Sequence, residues 1–214
     1  MTLSIIFTTL CLLCSVAAWN ATAEVWQFTI MDQHGEPLDD AVVELVSLDT
    51  TQSHTGSTQQ ATIKQQSLNF VPFVSAVQVG TLIDFPNFDR TRHHVYSFSA
   101  AKVFEIQLYH DRPEEPIEFD TAGIVALGCN IHDYMEAYVY VSESPLVAVT
   151  DEQGQAHFTH LPAGDYQLTI WHPFQQHSLP PKQFRLTEHN KASSFRVDVT
   201  HRPKQPTPQR GFGS

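Results

Sequence analysis

Val103-Phe104-Glu105-Ile106-Gln107-Leu108 alternates apolar and polar side chains, which gives the segment one apolar face and one polar face at a period of two. That is the signature of a half-buried β-strand. The same alternation recurs in Val25-Trp26-Gln27-Phe28-Thr29-Ile30, in Ala41-Val42-Val43-Glu44-Leu45-Val46 and in Ala76-Val77-Gln78-Val79. Turn formers such as His34-Gly35-Glu36-Pro37 and Asp151-Glu152-Gln153-Gly154 separate the runs at strand-sized intervals. No window of a dozen residues carries a 3.6-residue period, so the expected fold is all-β.

Composition narrows the function classes. The chain has 214 residues, 42% hydrophobic and 16% charged, a globular balance. Acidic residues outnumber Lys plus Arg by 23 to 12, and a formal net charge of -11 offers no electrostatic footprint for a polyphosphate, so nucleic acid is excluded as a partner. The 12 histidines raise the expectation of metal or redox chemistry without locating it.

Residues 3–18 form an apolar run that leads to Ala21-Thr22-Ala23, a small-x-small cleavage pattern, so residues 1–23 read as a secretory signal peptide and the protein as exported. No Lys or Arg precedes the run, and a short membrane anchor is the alternative. No stable membrane span is expected after cleavage. Cys11 and Cys14 both fall in the removed segment, which leaves Cys129 unpaired in an oxidising compartment. Such a thiol must be buried or held.

Gly128-Cys129-Asn130-Ile131-His132-Asp133-Tyr134-Met135 offers a thiol, an imidazole and a thioether at positions i, i+3 and i+6. Upstream, Asn87-Phe88-Asp89-Arg90-Thr91-Arg92-His93-His94-Val95 supplies a second imidazole at the head of a strand. Two nitrogens, one thiolate and one weak soft donor make a set that favours copper, with three strong donors in a plane and a long axial Met. Structural zinc prefers four strong ligands. On a strand, adjacent side chains face opposite ways, so only one of His93 and His94 can point at the ion. A Cys–His nucleophilic pair is the enzymatic alternative, but Cys129 and His132 share one loop with no evident carboxylate to orient the base. The expectation is therefore a non-enzymatic protein with no catalytic residues.

Cys129-x-x-His132-x-x-Met135 resembles the ligand loop of the type 1 (blue) copper proteins, the cupredoxins, in the short amicyanin spacing. Phe70-Val71-Pro72, the strand Val77-Gln78-Val79 into Gly80, and Phe85 followed by Asn87-Phe88-Asp89 are similar to the upstream half of the cupredoxin pattern. That resemblance implies one type 1 copper ion held by His93, Cys129, His132 and Met135, with His94 as the alternative to His93. The imidazole chosen is the one six residues after the Asn and followed by x-Val. A wider resemblance, carried by His93-His94-Val95-Tyr96-Ser97-Phe98-Ser99, the Cys129 loop and Trp171-His172-Pro173, is to bacterial methylamine utilization proteins. The loop lacks the proline usual in blue copper proteins and sets Asp133 beside His132. A carboxylate there is expected to favour the oxidised ion or to steer a cationic partner.

The flanks read differently. Asp151-Glu152-Gln153-Gly154 and Leu161-Pro162-Ala163-Gly164-Asp165-Tyr166 resemble a carboxypeptidase regulatory-like β-sandwich, whose usual opening stands far upstream as Asp32-Gln33-His34-Gly35-Glu36-Pro37-Leu38 and Ala41-Val42-Val43-Glu44-Leu45. The expected organisation is a discontinuous sandwich of residues 24–60 and 142–200, a Greek-key copper domain of residues 61–141 inserted into it, and a disordered tail, 201–214. A tandem is the alternative. The remaining histidines, His172 among them, are expected to be exposed or capping. The expected function is periplasmic electron transfer with a redox partner such as a c-type cytochrome or a dehydrogenase. A copper-delivery module and a metal-free scaffold are the competing readings.

Overall fold

The computed structural model describes residues 25–49, 59–159, 161–187 and 191–200. The readings of residues 1–23 and 201–214 lie outside the described residues, as does most of the polar stretch 50–60. Among the described residues there are seventeen strands and no helix: β1 Val25–Met31, β2 Val42–Ser47, β3 Gln60–Thr62, β4 Lys64–Gln65, β5 Phe70–Val71, β6 Val74–Gln78, β7 Thr81–Asp84, β8 His93–Ser99, β9 Lys102–Tyr109, β10 Ile117–Phe119, β11 Gly123–Cys129, β12 Glu136–Ser142, β13 Leu146–Val149, β14 Gln155–Thr159, β15 Gly164–Trp171, β16 Lys182–Leu186 and β17 Ala192–Arg196. The expected all-β class is what the chain adopts, and the strands pack as β-sandwiches.

The strands form where apolar side chains alternate. In β1 the residues Trp26, Phe28 and Ile30 are buried while their neighbours are half-exposed, as a strand with one covered face requires. This strand sits between β14 (antiparallel) and β17 (parallel). Its inner face meets the sheet β13-β2-β15-β16, and Trp26, Phe28, Ile30, Leu45, Tyr166 and Leu168 belong to their shared core.

A second core lies between the five-stranded sheet β6-β12-β11-β8-β9 and the sheet β10-β7-β3. Val95, Val125, Leu127, Cys129 and Val139 come from the larger sheet, and Ile83, Phe85 and Phe119 from the opposite side. Every strand of this second core falls between residues 60 and 142, and every strand of the first falls outside that span. The chain thus leaves one sandwich after β2 and returns to it at β13.

Two Asp-x-x-Gly turns fasten the first sandwich. Asp32 Oδ1 accepts the backbone N–H groups of His34 (2.8 Å) and Glu36 (2.9 Å), and Asp151 Oδ1 accepts those of Gln153 (3.0 Å) and Gln155 (2.8 Å). Gly154, at φ 70°, gives its carbonyl to Ile30 N (2.7 Å), and a Cβ there would collide with Ile30 O and lie 3.0 Å from Leu38 N. Only glycine fits both the conformation and the space.

An aromatic seam joins the two cores. Phe73 meets Tyr138 and Phe174, and Trp171 meets Tyr138 and Tyr140 at ring centroid separations of 5.9 and 6.0 Å. Glu44 on β2 accepts the Tyr140 hydroxyl at 3.0 Å and also the Ser142 hydroxyl, both on β12. Burial, with the Glu44 carboxylate alongside, pushes the Tyr140 phenol well above its ordinary value.

Candidate metal centre

Three segments converge at one end of the second sandwich. β8 opens with His93, β11 closes with Cys129, and the two strands are antiparallel neighbours with Cys129 opposite Val95. The short connection to β12 folds tightly on itself. Cys129 N–H donates to Met135 O (3.3 Å), His132 N–H to Cys129 O (3.4 Å) and Met135 N–H to His132 O (2.9 Å), while Asn130 N–H reaches His94 O (3.3 Å). These bonds turn the His132 side chain back towards Cys129.

The result is a compact donor set. Cys129 Sγ lies 3.7 Å from His93 Nδ1 and 3.6 Å from His132 Nδ1, and the three donor atoms are all within 4.8 Å of one another. His93 is fully buried and Cys129 is 3% exposed, whereas His132 is half-buried. Separations of 3.6 and 3.7 Å are those subtended at one ion by bonds of about 2.0 and 2.3 Å meeting at about 110–120°. The three donors therefore fit a single soft cation. Among the described residues this is the one group of three or more His, Cys, Asp or Glu side chains placed to hold a metal.

The other expected ligands sort cleanly. His94, next along the strand, points the opposite way: its Nε2 lies 2.9 Å from Glu105 Oε1, outside the donor set. Strand alternation thus directs His93 inward. Met135 is buried at 1% exposure in the same core as Cys129 and is tied to it through the backbone bond of the loop. Asp133 is exposed and, with Glu136, lines a groove of about 460 Å³ that Cys129 and Met135 also border. No hydrogen bond joins it to His132 among the described contacts. Gly128 sits beneath the ring of Tyr96, where a Cβ would come within 2.8 Å of Cζ, so a larger residue before Cys129 would have to push that ring aside.

The carboxylate that does bond a site imidazole belongs to Asp89. Its Oδ2 lies 2.9 Å from His93 Nε2. Burial pushes the His93 imidazole below its ordinary value; the Asp89 hydrogen bond and charge oppose that shift, and His132 adds to it. Asn87 holds the loop that presents Asp89: its Oδ1 accepts Asp89 N–H (2.9 Å) and its amide donates to Thr91 O (2.8 Å). In the sequence Asp89 stands out only within the Asn-x-Asp pattern, and the i to i+4 spacing from Asp89 to His93 is the signal of this contact.

His172 meets the second of its two expected roles, capping, and does so from the interior. It is 3% exposed, and its Nδ1 accepts Phe174 N–H at 3.1 Å, so it caps a turn from a buried position.

No protein-family model matches the chain, and no curated protein matches it. Among solved structures, the Cu-containing nitrite reductase (NirK) from Thermus scotoductus SA-01 is similar at 21% identity and a TM-score of 0.38, over 55% of this chain and 28% of that one. A mutant of amicyanin in its Cu(I) form is similar at 14% identity and a TM-score of 0.34, over 49% of this chain and all (100%) of that one. A purple cupredoxin from Nitrosopumilus maritimus is similar at 21% identity and a TM-score of 0.34, over 39% of this chain and 99% of that one. The chain spans little more than a quarter of the nitrite reductase, at 28%.

Proposed function

We propose that the protein is an exported single-electron carrier that works through one type 1 copper ion held by His93, Cys129, His132 and Met135. The observation that carries this reading is the convergence of two imidazole Nδ1 atoms on one buried sulfur, at 3.6 and 3.7 Å. A thiolate and two neutral imidazoles satisfy a soft cation, and the thioether of Met135 completes the set as the weak fourth donor. Copper, when bound, supplies one-electron exchange between Cu(I) and Cu(II).

The protein's own part is positioning. Cys129 belongs to a close-packed core of β-strands and His93 is fully buried beside it, so these two donors keep one arrangement whatever the charge at the site. Little reorganisation then opposes transfer. The half-buried His132 lies on the loop rather than on a strand, and it is the donor through which an electron passes to and from solvent-side partners.

Supporting the wider reading, the chain carries an apolar run with a small-x-small site, fitting export to the periplasm, and an acidic net charge of -11, fitting a cationic redox partner such as a c-type cytochrome. The copper unit is residues 61–141, inserted into a carboxypeptidase regulatory-like sandwich of residues 24–60 and 142–200. That assignment draws its support from the two separate cores and from the Asp-x-x-Gly turns at Asp32 and Asp151.

Reconstitution of the reduced full chain with copper tests the proposal. An intense visible thiolate-to-copper band that disappears in Cys129→Ser, with reversible one-electron voltammetry, is the expected result. Tight Cu(I) uptake without that band, with the ion surrendered to a chelator, identifies a delivery module instead. Absence of copper binding leaves a structural scaffold.

A further inference from the structure

The Asp89 side chain makes three polar contacts that tie two separate stretches of the chain together. Its Oδ1 accepts Ser67 N–H (2.7 Å), its Oδ2 accepts Leu68 N–H (3.0 Å), and the same Oδ2 meets His93 Nε2 at 2.9 Å. Ser67 and Leu68 are both in the left-handed region, at φ 57° and 59°, where non-glycine residues seldom sit. Gln66 and Asn69 close the two-residue turn through paired backbone bonds of 2.9 and 3.2 Å. The turn thus presents two successive N–H groups to one carboxylate, which has little freedom left to swing.

From this geometry we infer that Asp89 is a positioning residue: it fixes His93 as the Nε2–H tautomer and biases the site towards the more highly charged state of its ion. An ionised carboxylate has no proton to give, so the hydrogen between Asp89 and His93 belongs to the imidazole. The Nδ1 lone pair is then left facing Cys129 Sγ, 3.7 Å away. With its distal N–H donated to an anion, the imidazole becomes a more basic ligand and favours Cu(II) over Cu(I). The tautomer half of the inference stands without copper, and the bias half rests on the reading given under Proposed function.

The obvious variant, Asp89→Asn, leaves one oxygen to serve two backbone N–H groups and one imidazole, and its amide nitrogen can only donate. To separate the hold on the turn from the hold on His93, the full chain is compared in a Ser67→Gly/Leu68→Gly background, where the left-handed backbone needs no carboxylate to support it. Two readouts decide the matter. Long-range 15N–1H NMR of the metal-free protein is expected to show Nε2–H at His93 in the glycine background and loss of that fixed tautomer once Asp89→Asn is added. In the copper-loaded protein, Asp89→Asn is expected to weaken Cu(II) binding about 10- to 100-fold relative to Cu(I), and each tenfold raises the midpoint potential by about 59 mV. If His93 keeps Nε2–H and the potential stays put in the glycine background, Asp89 serves the turn alone and the inference fails. If the chain takes up no copper, the proposed function falls and the NMR result still decides the tautomer.

Discussion

Replacing Cys129 by serine should uncouple copper from stability. The residue is 3% exposed, and a serine hydroxyl there sits between two Nδ1 atoms that lie 3.6 and 3.7 Å from the present sulfur. The shorter C–O bond draws the donor away from both imidazoles, so one buried hydroxyl is poorly satisfied, at a cost of about 1–2 kcal/mol to the metal-free fold. Copper acts on the wild type by mass action. Free ion at a thousand times its dissociation constant contributes about 4.1 kcal/mol, and for a chain of this size each kcal/mol moves Tm by about 2–4 °C. Thermal unfolding followed by circular dichroism should therefore rise by about 8–16 °C when copper is added to the wild type. The serine variant should start a few degrees lower and respond hardly at all. An equal copper-induced rise in both proteins would mean that the ion binds elsewhere and that the sulfur is packing.

Three further outcomes follow from the same geometry. In competition titrations, His93→Ala should abolish tight copper binding, whereas His94→Ala, which removes a contact to the half-exposed Glu105 and an edge contact to the Tyr96 ring but no donor of the set, should keep the affinity within about twofold. Gly154→Ala puts a methyl group against Ile30 O at φ 70°, and the left-handed penalty together with backbone overpacking should cost about 3 kcal/mol or more, read as a lower urea midpoint. The Tyr140 phenol titrates higher in the folded than in the unfolded chain, because of burial and Glu44. Its contribution is complete below the unfolded value of about 10 and is lost as pH rises beyond it, so the urea midpoint should fall above about pH 10 and fall less in Tyr140→Phe.

Much of this architecture is legible in the chain because strand alternation is a local property. The period-two runs at Val25 and Val103 form strands almost where the pattern starts and stops, since each needs only one face covered. The same rule separates His93 from His94, because two adjacent residues on β8 cannot both face the core. The donor loop reads well for a related reason: Cys129 and His132 are close in sequence, and a tight turn brings them together without help from distant strands. What escapes a linear reading depends on long-range pairing. Nothing around Ser67-Leu68 predicts left-handed backbone, for neither residue is Gly, Asn or Asp; the conformation coincides with a carboxylate 21 and 22 residues downstream that receives both N–H groups. The parallel pairings of β1 with β17 and of β12 with β6 are likewise invisible in any window, as is the burial of His172. Asp133 is a case where adjacency in sequence decides little: it follows His132 directly, yet no hydrogen bond joins the two among the described contacts, and its exposed carboxylate lines a groove that Cys129 and Met135 also border.

X-ray absorption at the copper edge, applied to the reconstituted full chain, reads the inner coordination sphere directly. One sulfur and two imidazole nitrogens should appear as the short-range neighbours of copper in the wild type, and whatever copper Cys129→Ser or His93→Ala still takes up, far more weakly, should lack the sulfur or one imidazole respectively. A first sphere of nitrogen and oxygen alone, unchanged by either substitution, would contradict the claim that Cys129, His93 and His132 close on one ion.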